Sequence, residues 1–241
     1  MVLMLSAPIV VNAVAVVPPP RVQSQKQALV ISGLEQLLPM GQYAKSVKFY
    51  LTQIGYNVTF LTDDAVTVDF LLNNLNSYSV ILWRTNTFIW VHSTYWYVGE
   101  KVNSVTEQKY ASDFASGWLI DKAGILGITA DFVINHFGPN SLSGVKLLIF
   151  MASDGNALAP QFITAGITSV IFCQGIISLQ YGLIDTLTNQ MMAYLTQGQT
   201  VSSAVQSTIS PFNQGQTPTS NIDTTYPPPF YYSGDDSLTI T

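Results

Sequence analysis

Residues 146–155, KLLIFMASDG, predict the central strand of an α/β sheet. The apolar run from Leu147 to Met151 stops abruptly at the small and polar residues that follow it. A short apolar run that ends in turn-forming residues is typical of a strand buried on both faces. In an open α/β sheet, ligands and reactive groups usually lie at the carboxyl ends of the strands. The pattern therefore puts Ser153 in the position of a nucleophile.

Strands and helices alternate on both sides of this segment. The predicted strands are Ala28 to Gly33, Tyr56 to Leu61, Tyr78 to Trp83 and Ile167 to Cys173. The predicted helices are Tyr43 to Ile54, Thr67 to Leu75, Ile128 to Phe137, Pro160 to Ala165, Leu179 to Leu195 and Val201 to Thr208. An order of this kind predicts parallel strands joined by right-handed crossovers, with the helices packed on the sheet.

The segment from Arg84 to Gly144 interrupts this alternation. We interpret its first part, Thr87 to Val98, as a loop crowded with aromatic residues, namely Phe88, Trp90, Tyr95, Trp96 and Tyr97. Aromatic side chains contribute strongly to contact energy at interfaces. The loop is therefore either a ligand wall or protein interface, or a cover over the edge of the sheet.

The two ends of the chain differ in composition from its middle. Residues 1–26 hold an apolar segment, VLMLSAPIVVNAVAVV, followed by a proline-rich linker. The apolar segment is shorter than the roughly 20 residues of a membrane span, so we expect a signal sequence or an exchanged strand and no stable span in the mature chain. Residues 27–209 form the α/β domain. Residues 210–241 form a proline- and tyrosine-rich tail that packs back or reaches a neighbour, and Ser237 to Thr241 alternates like an edge strand.

Composition excludes several classes of function. Only 10% of the residues are charged, the net charge is −5, and no cluster of Lys or Arg is present, which argues against nucleic-acid binding. The single cysteine excludes an internal disulfide, and two distant histidines do not suggest a metal site, so we expect no cofactor. A surface solvated mainly by uncharged groups suits an extracellular or cell-envelope location.

The order of elements and three segments resemble the caspase-like cysteine peptidases, most closely the gingipain-type branch and the related CHAT domains. The segments are Tyr78 to Thr87 (YSVILWRTNT), Phe150 to Gly155 (FMASDG) and Pro160 to Ile171 (PQFITAGITSVI). In that family, one central strand ends in a histidine that acts as base, and the next ends in the nucleophilic cysteine. The resemblance spans roughly residues 27–208 and implies a three-layer fold with a mostly parallel central sheet flanked by helices.

Carried over residue by residue, the family's histidine falls on Asn86 and its cysteine on Ser153. A thiolate is a strong nucleophile, whereas a serine hydroxyl needs a base within hydrogen-bond reach. Asparagine does not accept a proton at ordinary pH. The resemblance therefore implies a peptidase fold without its catalytic pair, unless His92, which lies six residues beyond Asn86, serves as a substitute base for Ser153.

Other polar residues near the predicted strand ends are candidates for binding. Arg84 either binds a carboxylate or pairs with Glu100 or Asp154. Asp154 either orients a water or a histidine, or caps the following turn. Cys173 and Gln174 border the remaining cleft, although a buried cysteine more often behaves as a small apolar residue.

Two further residues have ordinary structural interpretations. His136 is expected to end a short helix, where a cation complements the helix dipole. The triplet Asn57-Val58-Thr59 matches an N-glycosylation acceptor, but its position inside a predicted strand argues against modification.

These observations lead to three functional hypotheses. The first is a catalytically inactive caspase-like protein that serves as an extracellular or envelope binding or structural component, with a protein partner or further copies of itself. The second is an active hydrolase that uses Ser153 with His92 as base. The third is a small-ligand binding module with an apolar pocket around Asn86, Ser153 and Gln174.

Overall fold

The computed structural model describes residues 26–33, 35–36, 39–90, 93–175, 181–213 and 230–241. The predicted signal sequence or exchanged strand and the candidate base His92 lie outside these residues. Within the described part, none of the helices is both long and apolar enough to cross a membrane.

The central sheet has six strands. They are β1 (Lys26–Ser32), β2 (Tyr56–Thr62), β3 (Val80–Arg84), β8 (Leu147–Met151), β9 (Ser169–Cys173) and β10 (Phe230–Gly234). Their spatial order is β2-β1-β3-β8-β9-β10; the first five are parallel, and β10 pairs antiparallel with β9. The prediction of a mostly parallel sheet is confirmed, and β8 has the bounds of the apolar run from which it was predicted.

A second, antiparallel sheet lies between β3 and β8 in the chain. Its strands are β4 (Thr87–Trp90), β5 (Ser93–Lys101), β6 (Leu119–Lys122) and β7 (Ile125–Ile128), in the order β4-β5-β7-β6. The interpretation of Thr87 to Val98 as a loop is therefore wrong. Aromatic residues occupy both faces of this hairpin, so that the apolar and polar alternation of a half-buried strand is lost.

Helices pack on both faces of the central sheet. They are α1 (Gln42–Gln53), α2 (Val68–Asn74), α3 (Ser104–Lys109), α4 (Ala111–Ala115), α5 (Ala130–His136), α6 (Ala159–Thr164), α7 (Tyr181–Thr196) and α8 (Val201–Asn213). Buried side chains of α1, α7 and α8 form one core with the sheet. Those of α2, α5, α6 and the second sheet form the other core. The molecule is thus an α/β protein with helices around a mixed sheet.

Local signals explain several helix boundaries. The side chains of Thr67 and Thr129 accept hydrogen bonds from the backbone N–H of Phe70 and Phe132, and so cap α2 and α5. Gly55, at φ 87°, follows the end of α1 in the left-handed conformation that glycine adopts without strain. These three boundaries agree with the sequence-based prediction.

The C-terminal residues belong to the domain. Helix α8 continues to Asn213, and β10 adds a strand to the central sheet with Phe230 fully buried. The tail was expected either to pack back on the domain or to reach a neighbour. Residues 230–241 pack back on the domain. The predicted edge strand from Ser237 to Thr241 is wrong: this stretch has no strand, although Ile240 is buried and its carbonyl oxygen accepts from the Tyr56 hydroxyl at 3.3 Å.

Two glycines bring the second sheet against the central one. A Cβ on Gly33 would lie 1.9 Å from the carbonyl oxygen of Val98, and a Cβ on Gly99 would lie 2.1 Å from that of Asp63. No side chain fits at either position without a shift of the backbone. The carboxyl end of β1 is therefore in direct contact with β5, which positions the hairpin beside the ends of the central strands.

Candidate functional site

The tips of β3 and β8 lie side by side. Arg84 is the register partner of Met151, and the N–H of the next residue, Thr85, donates to the Met151 carbonyl oxygen at 3.1 Å. Asn86 and Ser153 each follow two residues beyond this register pair. The structure thus brings the two residues to one edge of the sheet on neighbouring strands.

Backbone contacts with the hairpin hold both tips. The Asn86 side-chain oxygen accepts from the N–H of Thr87 at 2.8 Å, and its carbonyl oxygen accepts from the N–H of Tyr97 at 3.1 Å. The carbonyl oxygen of Ser153 accepts from the Thr87 hydroxyl at 2.8 Å and from the Trp96 indole N–H at 3.1 Å. Ser153 is only 5% exposed. The hairpin thus contacts the backbone of both Asn86 and Ser153.

No imidazole reaches this edge among the described residues. His136 ends α5, as expected, and its Nε2 lies 3.0 Å from Oδ2 of Asp113. Its ring also packs on Phe132, with 4.5 Å between centroids. His136 of α5 is thus paired with Asp113 of α4. Within the described part, no group of three or more His, Cys, Asp or Glu side chains is arranged to hold a metal ion.

Arg84 forms a buried ion pair with Asp185 of α7. Its Nε lies 2.9 Å from Oδ1 and its Nη2 lies 3.2 Å from Oδ2, a two-point contact. Arg84 is 3% exposed. Burial raises the pKa of the Asp185 carboxyl, and the guanidinium opposes that shift. The predicted pairing of Arg84 with Glu100 or Asp154 is therefore wrong, because the partner comes from the opposite side of the sheet.

Asp185 was missed by sequence reasoning, although a signal was present. It is the only charged residue in the sixteen residues of α7. A lone charge on a largely apolar helix that packs against a sheet needs a partner of opposite sign. Arg84 is the basic residue at the end of a predicted central strand, so the pair could have been suggested.

Asp154 does not cap the turn that follows it. It occupies the position before the short 3₁₀ turn Gly155–Ala157, in the left-handed conformation with φ 53°, and its side chain makes no capping hydrogen bond. The predicted capping role is therefore wrong. Its N–H instead donates to the Gly175 carbonyl oxygen at 3.1 Å, which ties the tip of β8 to the residues after β9.

Cys173 lies at the end of β9 and is fully buried. Burial raises the pKa of its thiol, and a backbone hydrogen bond from Ala152 acts weakly in the other direction. The thiol is therefore neutral and inaccessible at ordinary pH, which agrees with its interpretation as an apolar residue. Gln174, the next residue, is exposed at the same edge.

The aromatic hairpin has one buried and one outward face. Trp96 is buried against Phe150 of β8, so part of the cluster covers the central sheet. On the other face, Phe88 stacks on Tyr95 with 5.3 Å between ring centroids. Lys122 places its ammonium 4.9 Å from the ring centroid of Trp90. The expected role as a cover over the sheet is thus confirmed for Trp96, whereas a ligand wall or protein interface on the other face stays a prediction.

The outer strand of the hairpin exposes apolar side chains. Ile89 is 69% exposed and Trp90 is 48% exposed. In the described part of the chain, β4 has β5 as its one strand neighbour. Because successive side chains of a strand point to opposite faces, Ile89 and Trp90 are exposed on different faces of the hairpin.

No protein-family model matches this chain, and none of the curated proteins matches it significantly. The features that bear on its function are the two strand tips, the buried ion pair and the hairpin.

Proposed function

We propose that this protein is a catalytically inactive member of the caspase-like fold, of the gingipain and CHAT type. It acts as a binding or structural component outside the cell or in the cell envelope. The observation that carries the proposal is the position of Asn86 and Ser153 at the tips of two adjacent parallel strands, β3 and β8. These are the places where the resemblance puts the catalytic base and the nucleophile.

The contacts of both residues support the loss of peptidase chemistry. The Asn86 side-chain oxygen is occupied by the backbone N–H of Thr87, and an amide does not take a proton from an attacking hydroxyl. Ser153 is buried, which limits the access of a substrate to its hydroxyl. Cys173, the one thiol in the chain, is fully buried and is no substitute nucleophile.

A fluorophosphonate probe tests this part of the proposal. We expect the native protein to remain unlabelled under conditions that label a serine hydrolase completely, as shown by intact mass. Labelling that disappears in Ser153→Ala but persists in Ser116→Ala would instead support the active hydrolase with His92 as base. Ser116 is a suitable control because it is exposed and follows α4, away from the ends of β3 and β8 in the chain.

The binding role is supported by the exposed apolar residues of β4. Trp90 and Ile89 are exposed to solvent, in a chain with few charged residues. Aromatic side chains often dominate the free energy of protein association, and an edge strand can pair with a strand of another chain. A protein partner or a second copy of this chain fits this surface.

Light scattering on the full chain over a range of concentrations tests self-association. We expect a concentration-dependent oligomer that Ile89→Asp weakens. Val105→Asp is the matched control, since Val105 is also 69% exposed but lies on α3, away from the hairpin. A monomer at every concentration, before and after removal of residues 1–25, would eliminate self-assembly and leave a different protein as partner.

A further inference from the structure

The chain contains one triplet that matches an N-glycosylation acceptor, Asn57-Val58-Thr59. Its position inside a strand argued against modification. However, this strand is β2, which lies at the edge of the central sheet and pairs with β1 on one side. Asn57 is exposed, and it is the second residue of the strand, two positions after the turn residue Gly55. The triplet therefore does lie in a strand, as predicted, but its asparagine is accessible.

Within the described residues, β1 is the one strand neighbour of β2, and the other side of β2, its free edge, lacks the usual protection against pairing with other chains. The strand YNVTFLT has no charged residue and no proline. Its register with β1 runs without a bulge through seven consecutive pairs, from Lys26 with Tyr56 to Ser32 with Thr62. Natural edge strands usually carry lysine, proline or a bulge because unpaired backbone groups otherwise recruit another strand.

We propose that Asn57 is N-glycosylated and that the glycan shields the free edge of β2. The Asn57 side chain donates a hydrogen bond from Nδ2 to Oε1 of Gln27 at 3.1 Å, on the exposed rim of the sheet. A hydrophilic glycan at this atom extends into solvent and excludes a second strand from the edge. The inference rests on the exported location that forms part of the proposed function.

The modification is a transfer from a lipid-pyrophosphate-linked oligosaccharide. A bond forms between Nδ2 of Asn57 and C1 of the first sugar, while the bond from C1 to the pyrophosphate oxygen breaks. The electron pair stays with the lipid pyrophosphate, and the amide nitrogen loses one proton. Thr59, which the acceptor triplet requires, is half-buried in the folded sheet, so transfer takes place before β2 is complete.

Secretion of the full chain from a glycosylating eukaryotic host, behind that host's signal peptide, tests the site. We expect a glycan mass that peptide-N-glycosidase removes, with conversion of Asn57 to Asp in the peptide map. Asn57→Gln and Thr59→Val should lack the glycan, whereas Thr59→Ser should retain it. Asn73→Gln is the matched control, an exposed asparagine without the triplet. Secreted protein with unmodified Asn57 would overturn the proposal.

Shielding of the edge is measured on the same material. After enzymatic removal of the glycan, light scattering should show larger species that grow with concentration, and equal behaviour of the two forms would refute the shielding role. Native protein from the envelope or medium with a bare Asn57 would overturn this inference and leave the proposed function intact. Native protein found inside the cell would instead overturn the exported location, and with it modification in that cell.

Discussion

The indole N–H of Trp96 donates a 3.1 Å hydrogen bond to the backbone carbonyl oxygen of Ser153. The hydroxyl of Thr87 donates to the same oxygen at 2.8 Å. Strands β4 and β5 of the second sheet thus hold the turn at the end of β8. Hydrogen bonds from the hairpin therefore hold the backbone at Ser153.

The effects of removing these two donors on the free energy of unfolding should be strongly coupled. We expect Trp96→Phe to lower the free energy of unfolding by about 1–3 kcal/mol and Thr87→Val by about 1 kcal/mol, since each leaves the oxygen one donor. The double variant leaves a buried carbonyl without either donor and should lose more than the sum. Urea denaturation measures all three. Thr87→Ser keeps the hydroxyl and should match the wild type, and strictly additive losses would contradict the shared acceptor.

Stability should fall at alkaline pH because of two buried groups. Burial raises the pKa of the Cys173 thiol and of the Tyr43 hydroxyl. Both groups keep their protons in the folded chain, whereas the unfolded chain loses them near pH ~8.5 and ~10. The stabilising effect of both groups is therefore complete below pH ~8.5. Above its own unfolded-state pKa, each group lowers the free energy of unfolding by about 1.4 kcal/mol per pH unit.

Urea denaturation between pH 7 and pH 10.5 measures this dependence. Cys173→Ala should flatten the decrease that begins near pH ~8.5 and leave the later contribution of Tyr43. The same burial predicts that a thiol reagent modifies Cys173 only after unfolding. Rapid modification of the native protein would show that the end of β9 is open.

The Arg84–Asp185 pair should be costly to break on one side only. Arg84→Met leaves a carboxylate in a largely buried place, and we expect a loss of about 3–5 kcal/mol. The double variant Arg84→Met with Asp185→Leu removes both charges and should recover most of the lost stability. Lys109→Met, in the exposed pair with Asp69, is the control and should have a much smaller effect. Equal effects of the two single variants, measured by denaturation, would contradict burial of the Arg84 pair.

The turn between β6 and β7 should accept a stabilising substitution. Its two residues, Ala123 and Gly124, have φ values of 56° and 80°, the hairpin geometry that favours Asn-Gly. Alanine is strained in this conformation, so Ala123→Asn should add about 0.5–1 kcal/mol. The same change in α1, Ala44→Asn, should be destabilising because asparagine is a poorer helix former. A loss of stability in Ala123→Asn, followed by thermal unfolding, would contradict the turn geometry.

Elements with strong local signals were predicted from the sequence. The run from Leu147 to Met151 is apolar throughout because β8 is covered on both faces, and its bounds followed from that run. Thr67 and Thr129 begin helices because their hydroxyls satisfy free backbone N–H groups. The adjacency of Asn86 and Ser153 followed from the parallel order of β3 and β8.

The hairpin and the C-terminal strand were not predicted correctly. Trp96 faces the core while Tyr95 and Tyr97 contact Phe88 on the other face, so no polar and apolar alternation marked β5 as a strand. The strand at Phe230–Gly234 pairs with β9, and no sequence pattern near it predicts this pairing. Predicted strand character was instead assigned to Ser237 to Thr241, where alternation is present without a pairing partner.

The amino-acid sequence by itself determined the α/β class, the burial of the central strands and the places of Asn86 and Ser153 just beyond the ends of two of them. Only the tertiary structure decided that Arg84 pairs with Asp185, that the aromatic segment is a hairpin holding Ser153, and that β2 lies at a free edge. The physical reason is the range of the interactions. Burial and capping depend on neighbouring residues, whereas ion pairs and strand neighbours join residues far apart, such as Arg84 and Asp185, 101 positions along the chain.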